Sequence, residues 1–95
     1  MNWTVIKEKY PKAYNKIEGE NTQFKTRDLY DFFDDNDIII SIFYKYRDGY
    51  SFSIRYYTKK FNPYKLYKAG NDICFRRKDI EQRAFEKAFE ILNSR

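Results

Sequence analysis

Histidine is absent from this 95-residue chain and cysteine occurs once, at Cys74, so neither a disulfide framework nor the usual His/Cys zinc arrangement can form within one copy. With no imidazole to take a nucleophile's proton, Ser-His-Asp and Cys-His mechanisms are excluded as well. Cys74 lies in the apolar stretch Asp72-Ile73-Cys74-Phe75, the setting of an inert thiol, and takes no functional role. Glycine is scarce, and Gly19, Gly49 and Gly70 are too far apart to build a phosphate cradle. No cofactor and no small-molecule substrate are therefore expected. No apolar run approaches the roughly 20 residues that span a bilayer. The opening Met1-Asn2-Trp3 lacks the pattern of a signal peptide, and the expectation is a cytoplasmic protein without membrane contact.

Aromatic residues are abundant: twenty Phe, Tyr and Trp side chains, in a chain 42% hydrophobic and 35% charged, can offset the entropy of ordering it. The length fits one domain over 1–95. Trp3, Ile6, Tyr10, Tyr14 and Ile17 recur at helical spacing, with Asn2 or Thr4 as cap. Pro11 either kinks that helix or begins a second one, and Gly19 ends the segment. Thr26 caps a helix over Arg27 to Asp35 that turns Leu29, Phe32 and Phe33 inward and exits through a left-handed Asn36.

From Ile38 the period changes to two. Ile38, Ile40, Ile42, Tyr44 and Tyr46 point one way, Ser41, Phe43 and Lys45 the other, and Tyr50 to Lys59 supplies the partner strand. A two-residue Asp48-Gly49 turn would set the apolar side of one strand against the polar side of the other. A three-residue Arg47-Asp48-Gly49 loop pairs Tyr46 with Tyr50 and Ile42 with Ile54, and is the expected register. Beyond Phe61-Asn62-Pro63, Tyr64 to Lys68 and Ile73 to Arg76 read as short strands. Asp79 and Gln82 form a capping box for a last helix with the apolar stripe Ile80, Ala84, Phe85, Ala88, Phe89, Ile91 and Leu92. The expected fold is α+β and two-layered. An N-terminal helical segment (1–19) precedes a core (26–95) of helix, three- or four-stranded antiparallel meander, and C-terminal helix packed on the sheet.

Net charge is +5 and unevenly placed: residues 1–44 carry −2, residues 45–78 carry +8 and residues 79–95 carry −1. The basic middle supplies the candidate contact residues Lys45, Arg47, Arg55, Tyr57, Lys59, Lys60, Arg76, Arg77 and Lys78. Cations interleaved with rings can hold phosphates while unpaired bases stack. The same lysines can equally keep a surface soluble and strand edges apart. A third reading gathers Phe43, Tyr57, Tyr64 and Tyr67 into a protein-binding patch. The acidic run Asp31, Asp34, Asp35, Asp37 does not fit the frame of a calcium loop, and reads as a solvated helix end rather than a metal site.

Residues 27–95, as helix, three strands and helix, resemble the layout of a double-stranded-RNA-binding domain, whose last helix begins with phosphate-contacting basic residues. Arg76-Arg77-Lys78 ahead of Ala84, Ala88, Ile91 and Leu92 carries the similarity. Lys9 to Ala13, Arg27 to Phe33 and Ala84 to Leu92 are similar to segments of small uncharacterised proteins carried by phages and prophages of Bacteroides-type bacteria. That resemblance covers both ends of the chain and implies a mobile-element origin. The resemblance itself implies no activity; small non-catalytic phage proteins often occupy a host protein, and with the basic sheet and the lack of catalytic groups the expectation is a non-enzymatic inhibitor or regulator of a nucleic-acid-handling host protein, such as an RNA-guided defence nuclease or its guide RNA (an anti-CRISPR-like role). The alternative is an RNA-binding module using the basic sheet and the start of the last helix.

Overall fold

Pro11 has no N–H to donate, and the N-terminal segment divides there into two helices, α1 (Trp3–Lys9) and α2 (Pro11–Glu18), with Pro11 as the first residue of the second. The computed structural model describes residues 3–18, 26–45, 48–56, 65–68 and 73–94. The helix end expected at Gly19 lies outside them. Tyr10, ahead of Pro11, carries no short polar side chain with which to cap α2. The cap comes instead from the far end of the chain, where Asn93 Oδ1 accepts the N–H groups of Lys12 (2.9 Å) and Ala13 (3.4 Å). One side chain thus satisfies two otherwise unbonded donors and fixes α2 on the last helix.

Helix α3 (Thr26–Asp35) buries Leu29, Phe32 and Phe33. Its exit differs from expectation: Asp37, at φ 60°, takes the left-handed conformation, while Asn36 Nδ2 donates to the Phe32 carbonyl at 2.8 Å. Asn36 thus satisfies a helix-end carbonyl with its side chain, and Asp, which tolerates the left-handed region, makes the turn. The chain then forms β1 (Ile38–Lys45), β2 (Gly49–Tyr56) and β3 (Lys65–Lys68), an antiparallel sheet in the order β1-β2-β3. Ile73 to Arg76 is no fourth strand among the described residues; a single bridge joins Cys74 to Tyr50, through backbone bonds of 2.7 and 3.0 Å.

The hairpin register is displaced by two residues from the expected one: Ile42 faces Phe52 rather than Ile54, and Lys45 pairs with Gly49. An even displacement leaves every side chain on its expected face. Gly49 accounts for the shift. It lies inside β2 at φ +111°, and a Cβ there would sit 2.7 Å from the Cys74 carbonyl oxygen. The glycine is required by the close approach of the 73–74 segment, so it joins the strand instead of closing the loop.

Helix α4 (Arg77–Asn93) contacts both β1 and β2 on one side and α2 on the other. It begins earlier than expected, with Arg76 in the N-cap position, extended and without a side-chain cap bond, which places Asp79 in the first turn. An acidic group there still complements the helix dipole. All seven residues of its predicted stripe are buried. Rings tie the layers together: Phe33 of α3 lies 4.8 Å from Phe89 and 6.2 Å from Phe85, Tyr30 lies 5.0 Å from Phe85, and Trp3 of α1 lies 6.0 Å from Phe89. The sheet contributes Ile38, Phe52 and Ile54 to this core. Two substitutions test the account by chemical denaturation. Gly49→Ala should cost about 2–3 kcal/mol, from strained backbone and the Cys74 contact. Asn93→Ala should cost about 1 kcal/mol and Asn93→Asp much less, since Asp retains the acceptor.

Candidate functional site

With the helices on one face of the sheet, strand alternation assigns the other face residue by residue. Its rows run Ile39, Arg55, Leu66; then Ser41, Ser53, Lys68; then Phe43, Ser51; then Lys45, Gly49. Ile39 (43%), Phe43 (40%) and Leu66 (52%) are large apolar side chains left open, and Lys45, Arg55 and Lys68 are exposed among them. No acidic residue occupies any of these positions. The Lys45 ammonium lies 6.0 Å from the centroid of the Phe43 ring, so a cation and a ring present themselves together. Exposed apolar groups bordered by charges of one sign form a surface suited to a partner rather than to water.

Of the residues singled out from sequence, this face unites Lys45 and Arg55. Arg47, Tyr57, Lys59 and Lys60 lie outside the described residues, as does Tyr64. Tyr67 does not belong to the patch: it points to the helix side, stacked 5.9 Å from Phe52 with the Lys87 ammonium 4.6 Å from its ring. The basic triplet is placed differently again. Cys74 pairs with Tyr50 near the hairpin end of β2, Phe75 follows at 88% exposure, and Arg76, Arg77 and Lys78 lead into α4, all three exposed. They adjoin the end of the open face instead of lying on it. Arg77 also has a structural partner: its Nε is 3.6 Å from Glu81 Oε1, and Glu81 Oε2 accepts the Tyr30 hydroxyl at 2.7 Å. This chain of contacts holds the start of α4 against α3.

Sequence reasoning missed Ile39, Leu66, Lys68 and Phe75. Continuing the two-residue period back from Phe43 and Lys45 would have reached Ile39. Leu66 and Lys68 required the pairing of β3, and Phe75 required the bridge at Cys74. Asp31, Asp34, Asp35 and Asp37 are all exposed, and among the described residues no group of three or more His, Cys, Asp or Glu is placed to hold a metal ion. No helix among them is long and apolar enough to cross a membrane. No family model, curated protein or solved structure matches the chain.

Burial, and then the hydrogen bond to Glu81, push the Tyr30 hydroxyl well above the ordinary tyrosine range; Tyr10 is raised too, by burial and then by Glu86. Unfolded tyrosines ionise near pH 10, whereas these hold their protons in the folded chain. Their contribution to stability is complete below pH 10 and falls as pH rises above it. Urea denaturation at pH 8 and pH 11 should therefore show a smaller alkaline loss for Tyr30→Phe than for the parent. An equal loss in the two proteins would remove Tyr30 from this account.

Proposed function

We propose that this protein is a non-enzymatic binder that presents the open face of its sheet to a macromolecular partner, and that the partner is a nucleic-acid-handling protein of a bacterial host. The observation that carries the reading is the face itself, where Ile39, Phe43 and Leu66 stand exposed among Lys45, Arg55 and Lys68 and no paired position is acidic among the described residues. Apolar groups of this kind supply binding energy by leaving water, and the cations select an acidic surface and speed encounter. An RNA-guided defence nuclease is the class of target that the phage-like ends of the chain support, since occupying such a protein or its guide RNA requires no catalytic group. A cytoplasmic setting follows from that target.

Direct binding of single-stranded RNA is the second reading, and Phe75 favours it: a ring exposed at 88% beside Arg76 and Lys78 offers stacking next to phosphate contacts.

The two separate in one series of experiments. The parent and a Lys45→Ala/Arg55→Ala/Lys68→Ala variant are used as bait in host lysate, with and without ribonuclease. The first reading expects a stoichiometric protein captured by the parent, retained after ribonuclease and lost with the variant. Equal capture by both baits would remove the sheet face from the function. The second reading expects labelled RNA to bind with log K falling against log salt with a slope of about −1.4 if Arg76 and Lys78 contact phosphates. It also expects loss of that binding in Arg76→Ala/Lys78→Ala, and a salt-independent association would end it.

A further inference from the structure

Strand β1 stands at the edge of the sheet, and among the described residues no segment pairs with its outer side. An edge strand offers a row of backbone donors and acceptors, which proteins ordinarily blunt with proline, a bulge, inward-pointing charge or a covering loop. β1 reads Ile-Ile-Ile-Ser-Ile-Phe-Tyr-Lys, with no proline and no charge before its last residue, and it pairs one to one with β2 along its whole length. Its side chains remain open as well. Ile39 and Phe43 are exposed on the outer face, while on the helix side Ile40 and Ile42 are half-buried and Tyr44 is 61% exposed.

The strand is complementary to itself. Laid antiparallel on its own copy about Ser41, it sets Ile39 opposite Phe43 on the outer face, and Ile40 opposite Ile42 and Ile38 opposite Tyr44 on the inner face. The two Ser41 side chains meet at the centre, where hydroxyls can bond each other. Asp37, just before the strand, falls beside Lys45 of the other copy, so both ends of the pairing bring opposite charges together. The alternatives fare worse. A one-residue slip opposes the two faces; a two-residue slip one way sets Lys45 opposite Ile39 and Ser41 opposite Phe43, and the other way sets Asp37 opposite Phe43 and Ser41 opposite Ile39.

We propose that a second copy of this chain adds to the outer edge of β1, antiparallel and centred on Ser41, joining the three strands of each copy into one sheet with two-fold symmetry. The open faces then merge, with Ile39 and Phe43 of both copies forming a central apolar strip bordered by Lys45, Arg55 and Lys68. The proposal is independent of what that face binds.

Sedimentation velocity of the full chain across a range of micromolar concentrations reads the oligomeric state, and a dimer is expected. Ser41→Lys changes an exposed position and sets two ammonium groups opposite each other, so it should raise the dimer dissociation constant about fivefold. Ser41→Cys tests the register. Residues directly opposite in antiparallel strands lie about 4.5–5.5 Å apart at Cα, within reach of a disulfide. Mild oxidation should therefore cross-link Ser41→Cys rapidly, above the background that Cys74 gives in the parent. Ile39→Cys, facing Phe43, should not exceed that background. A parent that stays monomeric at the highest soluble concentration overturns the proposal. So does a dimer indifferent to Ser41→Lys, or equal cross-linking of the two cysteine variants.

Discussion

The fold depends on the burial of α4 from several sides at once. Its stripe from Ile80 to Leu92 is packed against the sheet, against α2, and through Phe85 and Phe89 against the rings of α3 and α1. Each large apolar side chain so buried contributes about 1.5–3 kcal/mol, and Ala84 and Ala88, fully buried, keep the neighbouring backbones close. The polar contacts follow the same plan: Asn93 at one end of α4 caps α2, and Glu81 near the other end holds Tyr30 and Arg77. A chain of this length has apolar material for one such core, and α4 organises it.

One consequence concerns the sheet. With its helices gathered on a single face, the other is left with whatever strand alternation places there. A face meant only for water would carry polar groups at each position; this one keeps Ile39, Phe43 and Leu66 open. The helical layer also stops short of the hairpin, so that Tyr44, on the core side by parity, is exposed and packs edge-on against Tyr50 at 5.1 Å. The core thus lies on one side of the three strands, while the other side exposes Ile39, Phe43 and Leu66 and buries Ser51 near the hairpin.

Much of this was readable in the sequence because it repeats. The α4 stripe, the inward side of α3 and the alternation of β1 each rest on several residues with one period, and Pro11 announces its own position. The displaced register was not readable, since a shift of two leaves the apolar pattern intact and only the contact of Gly49 with Cys74 distinguishes the choices. The Asn93 cap joins residues about eighty positions apart, and no local signal marks it. In the basic middle, composition located the charge correctly, but not which cations share a face. Lys68 joins Lys45 and Arg55 there, while Arg76, Arg77 and Lys78 lie at the hairpin end, with Arg77 already engaged by Glu81.

The helix side of the sheet holds the fold, whereas the Ile39, Arg55, Leu66 end of the other side does not. Thermal unfolding of Leu66→Glu and Phe52→Glu, substitutions on opposite faces of neighbouring strands, tests it most directly. Leu66→Glu should leave the midpoint within about 4 °C of the parent, the change that roughly 1 kcal/mol produces in a domain of this size. Phe52→Glu, placing a carboxylate in the core, should abolish cooperative unfolding or lower its midpoint severalfold more. Comparable losses in the two variants would show that the outer face is part of the core, and would contradict the account.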